Sequence, residues 1–140
     1  MIDTDGERAE WNFPAEANAV RTARHAVRET LRAWDLDSAL GDVTVLLVSE
    51  LVTNSLRYAS GPIGVRLVRP RIDGSDPTRP PALLVEVSDP LPDPPTARAP
   101  GPEDEGGRGL GLVACSARRW GTRKGRTGKT VWFELALPGE

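Results

Sequence analysis

Apolar residues at Val20, Ala23, Val27, Leu31 and Trp34 recur at helical spacing, with arginines on the opposite side, and predict a helix over 15–34. Ser38 stands as the N-cap of a second helix running to about Tyr58, where "SGP" stops it. The period then changes. "IGVRLVR" (63–69) and "ALLVEVSD" (82–89) alternate like strands, joined through the Pro- and Asp-rich "PRIDGSDPTRPP" as a hairpin with a long tip. "WNFP" (11–14) predicts a short edge strand stopped by Pro14, while "WGTRKGR" (120–126) and "KTVWFELAL" (129–137) predict two closing strands around a "TG" turn. Between them, residues 90–106 carry Pro90, Pro92, Pro94, Pro95, Pro100 and Pro102, which remove amide donors and leave a long loop, a lid candidate. "GGRGLGLVACSARR" (106–119) reads as glycines leading into a short helix. The order of elements predicts one α+β domain over 11–137: a two-layer α/β sandwich whose mixed, mainly antiparallel sheet carries helices on one face. Residues 1–10 read as a loose leading segment and 138–140 as a tail.

Three polar residues interrupt the apolar pattern. Val43, Leu47, Glu50 and Asn54 fall within roughly 60° of one another on a helix, so a carboxylate and a carboxamide extend an apolar stripe, one turn apart and about 6 Å along the axis. The plain alternative is a pair hydrogen-bonded within the protein; the sharper reading uses an Asn oxygen as a hard Mg²⁺ ligand and a Glu as a proton acceptor. On the second strand Leu83, Val85, Val87 and Asp89 share one parity, so Asp89 continues the apolar face inward. There it either opens the proline loop through an Asx turn or accepts a hydrogen bond from an exocyclic amine such as that of adenine. The third element is glycine: Gly106, Gly107, Gly109 and Gly111 let backbone approach a ligand, amides at a helix start point at anions, and Arg108 adds a cation.

Composition narrows the classes. The chain of 140 residues balances 18 basic against 20 acidic residues, which gives no electrostatic footprint for nucleic acid or an anionic membrane. A single cysteine, Cys115, excludes an intramolecular disulfide framework, and with His25 as the one histidine a protein zinc site is not expected. No apolar run approaches the roughly 20 residues of a membrane span, and "MIDTDGERAEW" lacks a signal peptide's apolar segment, so the cytoplasm is the expected location. "GRTGKT" (125–130) ends like a phosphate-binding loop, but Arg123 occupies its first glycine position and the context is strand-turn-strand. Cys115 reads as a small hydrophobe in an apolar helix, and the four tryptophans as packing.

Taken in order over residues 11–137, these segments resemble the Bergerat-fold ATPase superfamily of gyrase B, heat-shock-90 chaperones, histidine kinases and MutL. Within it they are most similar to the small anti-sigma-factor serine kinases and their stand-alone actinobacterial relatives. "ELVTNSLRYA" resembles the N box, "VEVSDPLPDPP" the first glycine-box segment and "GGRGLGL" the second. The resemblance implies ATP and Mg²⁺ as cofactors, Glu50 as general base, Asn54 as Mg²⁺ ligand and Asp89 as adenine reader. It also implies Gly107, Arg108, Gly109, Leu110 and Gly111 around the phosphates beneath a 90–106 lid, and Thr130 helping Asp89 hold adenine. Two departures stand out: "PLPDPP" follows Asp89 where a glycine is common, and Gly107–Arg108 differ from the usual basic and small polar residues. The activity implied is phosphorylation of a serine on an anti-sigma-factor antagonist protein by a kinase that also binds a sigma factor, with a homodimer as the family's expectation. A nucleotide-binding switch without catalysis is the second expectation; a detached histidine-kinase domain is disfavoured because the dimerisation helices and phosphoacceptor are missing.

Overall fold

The computed structural model describes residues 7–58, 61–69, 81–90, 105–125 and 128–137, with side chains except at Tyr58 and 105–110. Strand β1 (Glu7–Phe13) is followed by α1 (Ala19–Ala33), a single π turn (Asp37–Gly41), α2 (Asp42–Tyr58), β2 (Ile63–Arg69), β3 (Ala82–Asp89), α3 (Glu105–Ser116), β4 (Arg119–Lys124) and β5 (Lys129–Ala136). The strands form one five-stranded sheet in the order β1-β2-β3-β5-β4, and every pairing is antiparallel. This is the expected α+β sandwich. The 70–81 connection, apart from Pro81, and the body of the proline loop lie outside the described residues.

Parity sorts the strands into two faces. Phe13, Ile63, Val65, Leu67, Leu83, Val85, Val87, Val131, Phe133 and Leu135 are buried on the face that α1 and α2 cover. Helix α1 meets them with Ala19, Ala23, Val27 and Leu31, one residue per turn, each at most 1% exposed. Helix α2 adds Val45, Leu47, Val48, Leu51 and Val52. Burial of such side chains contributes roughly 1.5–3 kcal/mol each and holds the layers together.

Boundaries differ from expectation at three places. Strand β1 begins at Glu7 rather than within 11–14, because residues 7–13 pair along all of β2, and so part of the expected loose segment is strand. Helix α1 begins at Ala19 rather than 15, since Pro14 and Glu16 carbonyls are taken by turn bonds from Glu16 (2.7 Å) and Ala19 (2.9 Å). Ser38 is not an N-cap: it lies inside the π turn, which Arg28 fixes through Asp37 (2.8 Å) and Asp42 (3.1 Å), and the regular helix starts only at Asp42. Asp35, at φ 61°, supplies the left-handed residue that turns the chain after α1, a conformation Asp adopts more readily than most residues. Cys115 is exposed, whereas Val113 of that helix is fully buried in the core and Leu112 packs against it. The helical run Asp37–Arg57 is long and apolar enough by composition to cross a membrane, at mean hydropathy 1.3, contrary to the sequence expectation; half of its apolar window is buried inside the fold, as in a core helix.

The other face of the sheet covers itself with charge. Glu86 on β3 is 7% exposed because Arg66 from β2 (2.9 Å) and Arg123 from β4 (2.6 Å) close over it, and Arg66 also reaches Glu10 on β1 at 3.4 Å. Beside them Trp132 lies flat across Gly121, where a Cβ would come within 2.9 Å of the indole, and Arg119 sits 5.9 Å from its ring centre. Burial opposes ionisation of Glu86, but the hydrogen bonds and charges of Arg123 and Arg66 outweigh it, so its carboxyl lies below the ordinary range. A depressed folded value stabilises the fold above the unfolded carboxyl pKa of about 4.3, and that contribution is lost as pH falls through the folded value. Acid titration of melting temperature therefore shows a drop below about pH 4.3 in the wild type that is shallower in Glu86→Gln, whose stability at pH 7 is lower by about 1 kcal/mol.

Candidate functional site

The site is built where α2 crosses the end of β3. Asp89 is the last residue of β3, on the helix-covered face, and is 5% exposed. Its Oδ2 accepts a buried hydrogen bond of 2.7 Å from Ser55 Oγ, while Oδ1 is buried with no protein partner. Burying a carboxylate oxygen unmatched is costly, and such atoms in native folds call for a ligand, a water or an ion. Ser55 was not among the sequence candidates. Its signal was its place four residues after Leu51 and seven after Val48, on the stripe that packs against the sheet.

One residue earlier on α2, Asn54 is half-buried and its Oδ1 is the second orphan oxygen of this region. Glu50 is half-buried one turn before it and makes no hydrogen bond or ion pair with the described residues. The Ser55–Asp89 bond sets Asn54, the preceding residue of α2, near the end of β3, with Glu50 one helical turn further back along the helix. Among the described residues no group of three or more His, Cys, Asp or Glu could hold a metal. An Asn54-based site would be of the kind that keeps most ligands as water and phosphate, as Mg²⁺ sites do.

The glycine segment differs from expectation. Gly106, Gly107, Gly109 and Gly111 are not a loop ahead of the helix but lie within α3, which starts at Glu105 and packs against α2. Amides from the fifth helical residue onward bond within the helix, so the donors left for an anion are those of 105–108; Gly109, Leu110 and Gly111 have theirs committed. A Cβ on Gly111 would meet nothing within 4 Å, so no close approach explains that glycine.

Thr130 is not brought to Asp89. In the β3–β5 register Ser88 faces Thr130 and Asp89 faces Lys129, and the Thr130 hydroxyl lies 2.8 Å from Ser88 Oγ on the charged face of the sheet. The reason is parity: Asp89 and Ser88 are adjacent, so their side chains leave opposite faces. These two hydroxyl residues line an open cleft of about 590 Å³ at the end of the sheet, which also takes in Asn12, Asp89, Arg123 and Lys129. The "GRTGKT" look-alike is the β4–β5 hairpin turn, closed by Gly125 N–H to the Gly128 carbonyl at 2.7 Å, which has no helix to follow it.

A family model described as "Histidine kinase-like ATPase domain" matches residues 13–135. No curated protein matches the chain. Among solved structures, the RsbU and RsbW domains of Rv1364c from Mycobacterium tuberculosis superpose with a TM-score of 0.65 at 20% identity, over 94% of this chain and 32% of that one. This chain therefore spans about a third of that protein, and at such identity the likeness is one of fold. The family model covers nearly the whole sandwich, from the end of β1 into β5, and the chain belongs to the histidine kinase-like ATPase domain family.

Proposed function

We propose that the chain is an ATP- and Mg²⁺-dependent protein serine/threonine kinase of a partner-switching pathway, binding a sigma factor and phosphorylating a serine on its anti-sigma-factor antagonist. The observation that carries this reading is Asp89, buried with one oxygen held by Ser55 and the other left open. A carboxylate fixed in this way at the end of an apolar strand face accepts a hydrogen bond from the exocyclic amine of adenine, while Val87 and Val131 provide apolar surface beside the base. Membership of an ATPase-domain family supports the same ligand.

The unpartnered Oδ1 of Asn54 is a hard neutral oxygen and fits Mg²⁺ as its one side-chain ligand. When bound, the ion neutralises phosphate charge. The first-turn amides of α3, from Glu105 to Arg108, are the donors available to phosphate oxygens. Glu50, without a partner among the described residues, takes the proton of the incoming serine hydroxyl. The serine oxygen then bonds to the γ-phosphorus as the bridging bond to ADP breaks, and ADP leaves with that electron pair. Positioning and charge complementarity supply most of the acceleration in such transfers.

Two measurements test this reading. Millimolar ATP with Mg²⁺ raises the melting temperature of the wild type by several degrees, because it binds only the folded state, and Asp89→Asn abolishes most of the rise; no rise in the wild type overturns the site. In a transfer assay with labelled ATP and a cognate antagonist, Glu50→Ala lowers phosphorylation by about 10²–10⁴-fold while ATP affinity stays within a few-fold. ATP binding without any transfer by the wild type would instead leave a nucleotide-controlled binding switch.

A further inference from the structure

Strand β5 opens with Lys129, and the antiparallel register sets it directly opposite Asp89 on one side and Lys124 on the other. Lys129 shares its parity with Val131, Phe133 and Leu135, which are 7%, 0% and 4% exposed, so its side chain leaves the strand on the helix-covered face where Asp89 lies. Directly opposed residues in such a pair hold their Cβ atoms about 4.5–5.5 Å apart, well inside the reach of a lysine stem. The strand has little freedom to slip, because a Cβ at Gly128 would overlap the Asp89 carbonyl oxygen and come within 3.0 Å of Pro90 Cα. Lys129 is half-buried and makes no hydrogen bond or ion pair with the described residues, and Lys124 opposite it only adds like charge. The Lys129 stem thus starts across from a buried carboxylate that has one oxygen without a partner, and no ion pair joins the two in the nucleotide-free protein.

We infer that Lys129 is a base-reading residue: its ammonium donates to the ring nitrogen next to the exocyclic amine that Asp89 accepts from. The inference rests on the nucleotide site proposed above and specifies which base that site takes. A 6-aminopurine presents a donor and, beside it, an acceptor; Asp89 Oδ1 and Lys129 present an acceptor and, beside it, a donor. With Asp89 fixed by Ser55, a purine carrying a carbonyl at that position sets oxygen against carboxylate, so the pair selects the amine.

The test compares ATP with 1-deaza-ATP, which keeps the amine and replaces the ring nitrogen by a C–H group, using calorimetric affinities at fixed Mg²⁺. The wild type is expected to prefer ATP by about tenfold, the size of one charge-assisted hydrogen bond. In Lys129→Met the ATP affinity falls by about tenfold and the preference disappears, with nucleotide-free melting unchanged; Lys129→Arg, which keeps a donor, retains the preference. A Lys129→Met protein that still prefers ATP as the wild type does overturns the assignment of Lys129 while leaving the Asp89 site standing. A wild type that binds neither nucleotide overturns the nucleotide site itself, and this inference with it.

Discussion

The hydrogen bond from Ser55 to Asp89 locks the helix layer to the sheet layer at the one end of the sandwich where both leave polar atoms open. The bond is short and buried, and it engages one of the carboxylate's two oxygens, so it sets the direction in which the other points. Without it Asp89 would be a buried carboxylate with no donor among the described residues, which is costly to keep in a fold. The neighbouring Asn54, the preceding residue of the same helix, is then placed by the same contact. Two orphan oxygens from two elements are held in fixed relation by one serine.

That arrangement is tolerable because the sheet beneath is rigid on both sides. The inner face is closed by α1 and α2, and the outer face by a lattice in which Glu10, Arg66, Glu86 and Arg123 bind β1, β2, β3 and β4 together. β3, which ends in Asp89, is the strand most enclosed by this double cover, with even its outward Glu86 buried. A functional group at the end of such a strand has its backbone fixed before any ligand arrives, which is the condition for selective recognition.

The fold was largely legible because its signals are periodic: the spacing from Val20 to Trp34, the alternation of 63–69 and 82–89, and the paired closing strands all fall where elements formed. Boundaries were less legible because they depend on tertiary partners. Nothing local in the sequence shows that Arg28 reaches forward to Asp37 and Asp42 and turns the start of the second helix into a π turn. Strand β1 likewise extends to Glu7 only because β2 is there to pair with it. At the site, Glu50, Asn54 and Asp89 were visible as polar residues on apolar stripes, a conflict that sequence shows directly. Ser55 was harder to see because a serine on a buried stripe raises no such conflict. The glycines misled for a different reason: their freedom suggested a loop, whereas packing of α3 on α2 draws them into a helix despite their propensity.

The pairing of Ser88 with Thr130 also bears on how this chain is aligned with others. Matching threonine to threonine in the last strand satisfies residue identity, yet a shift of a single position moves a side chain to the opposite surface of a pleated sheet. Here the hydroxyl at 130 bonds Ser88 on the charged face, and Lys129 is the residue that shares the phase of Asp89. The useful coordinate for comparing this chain with others is therefore the strand's phase relative to Asp89, not the letter at a single position.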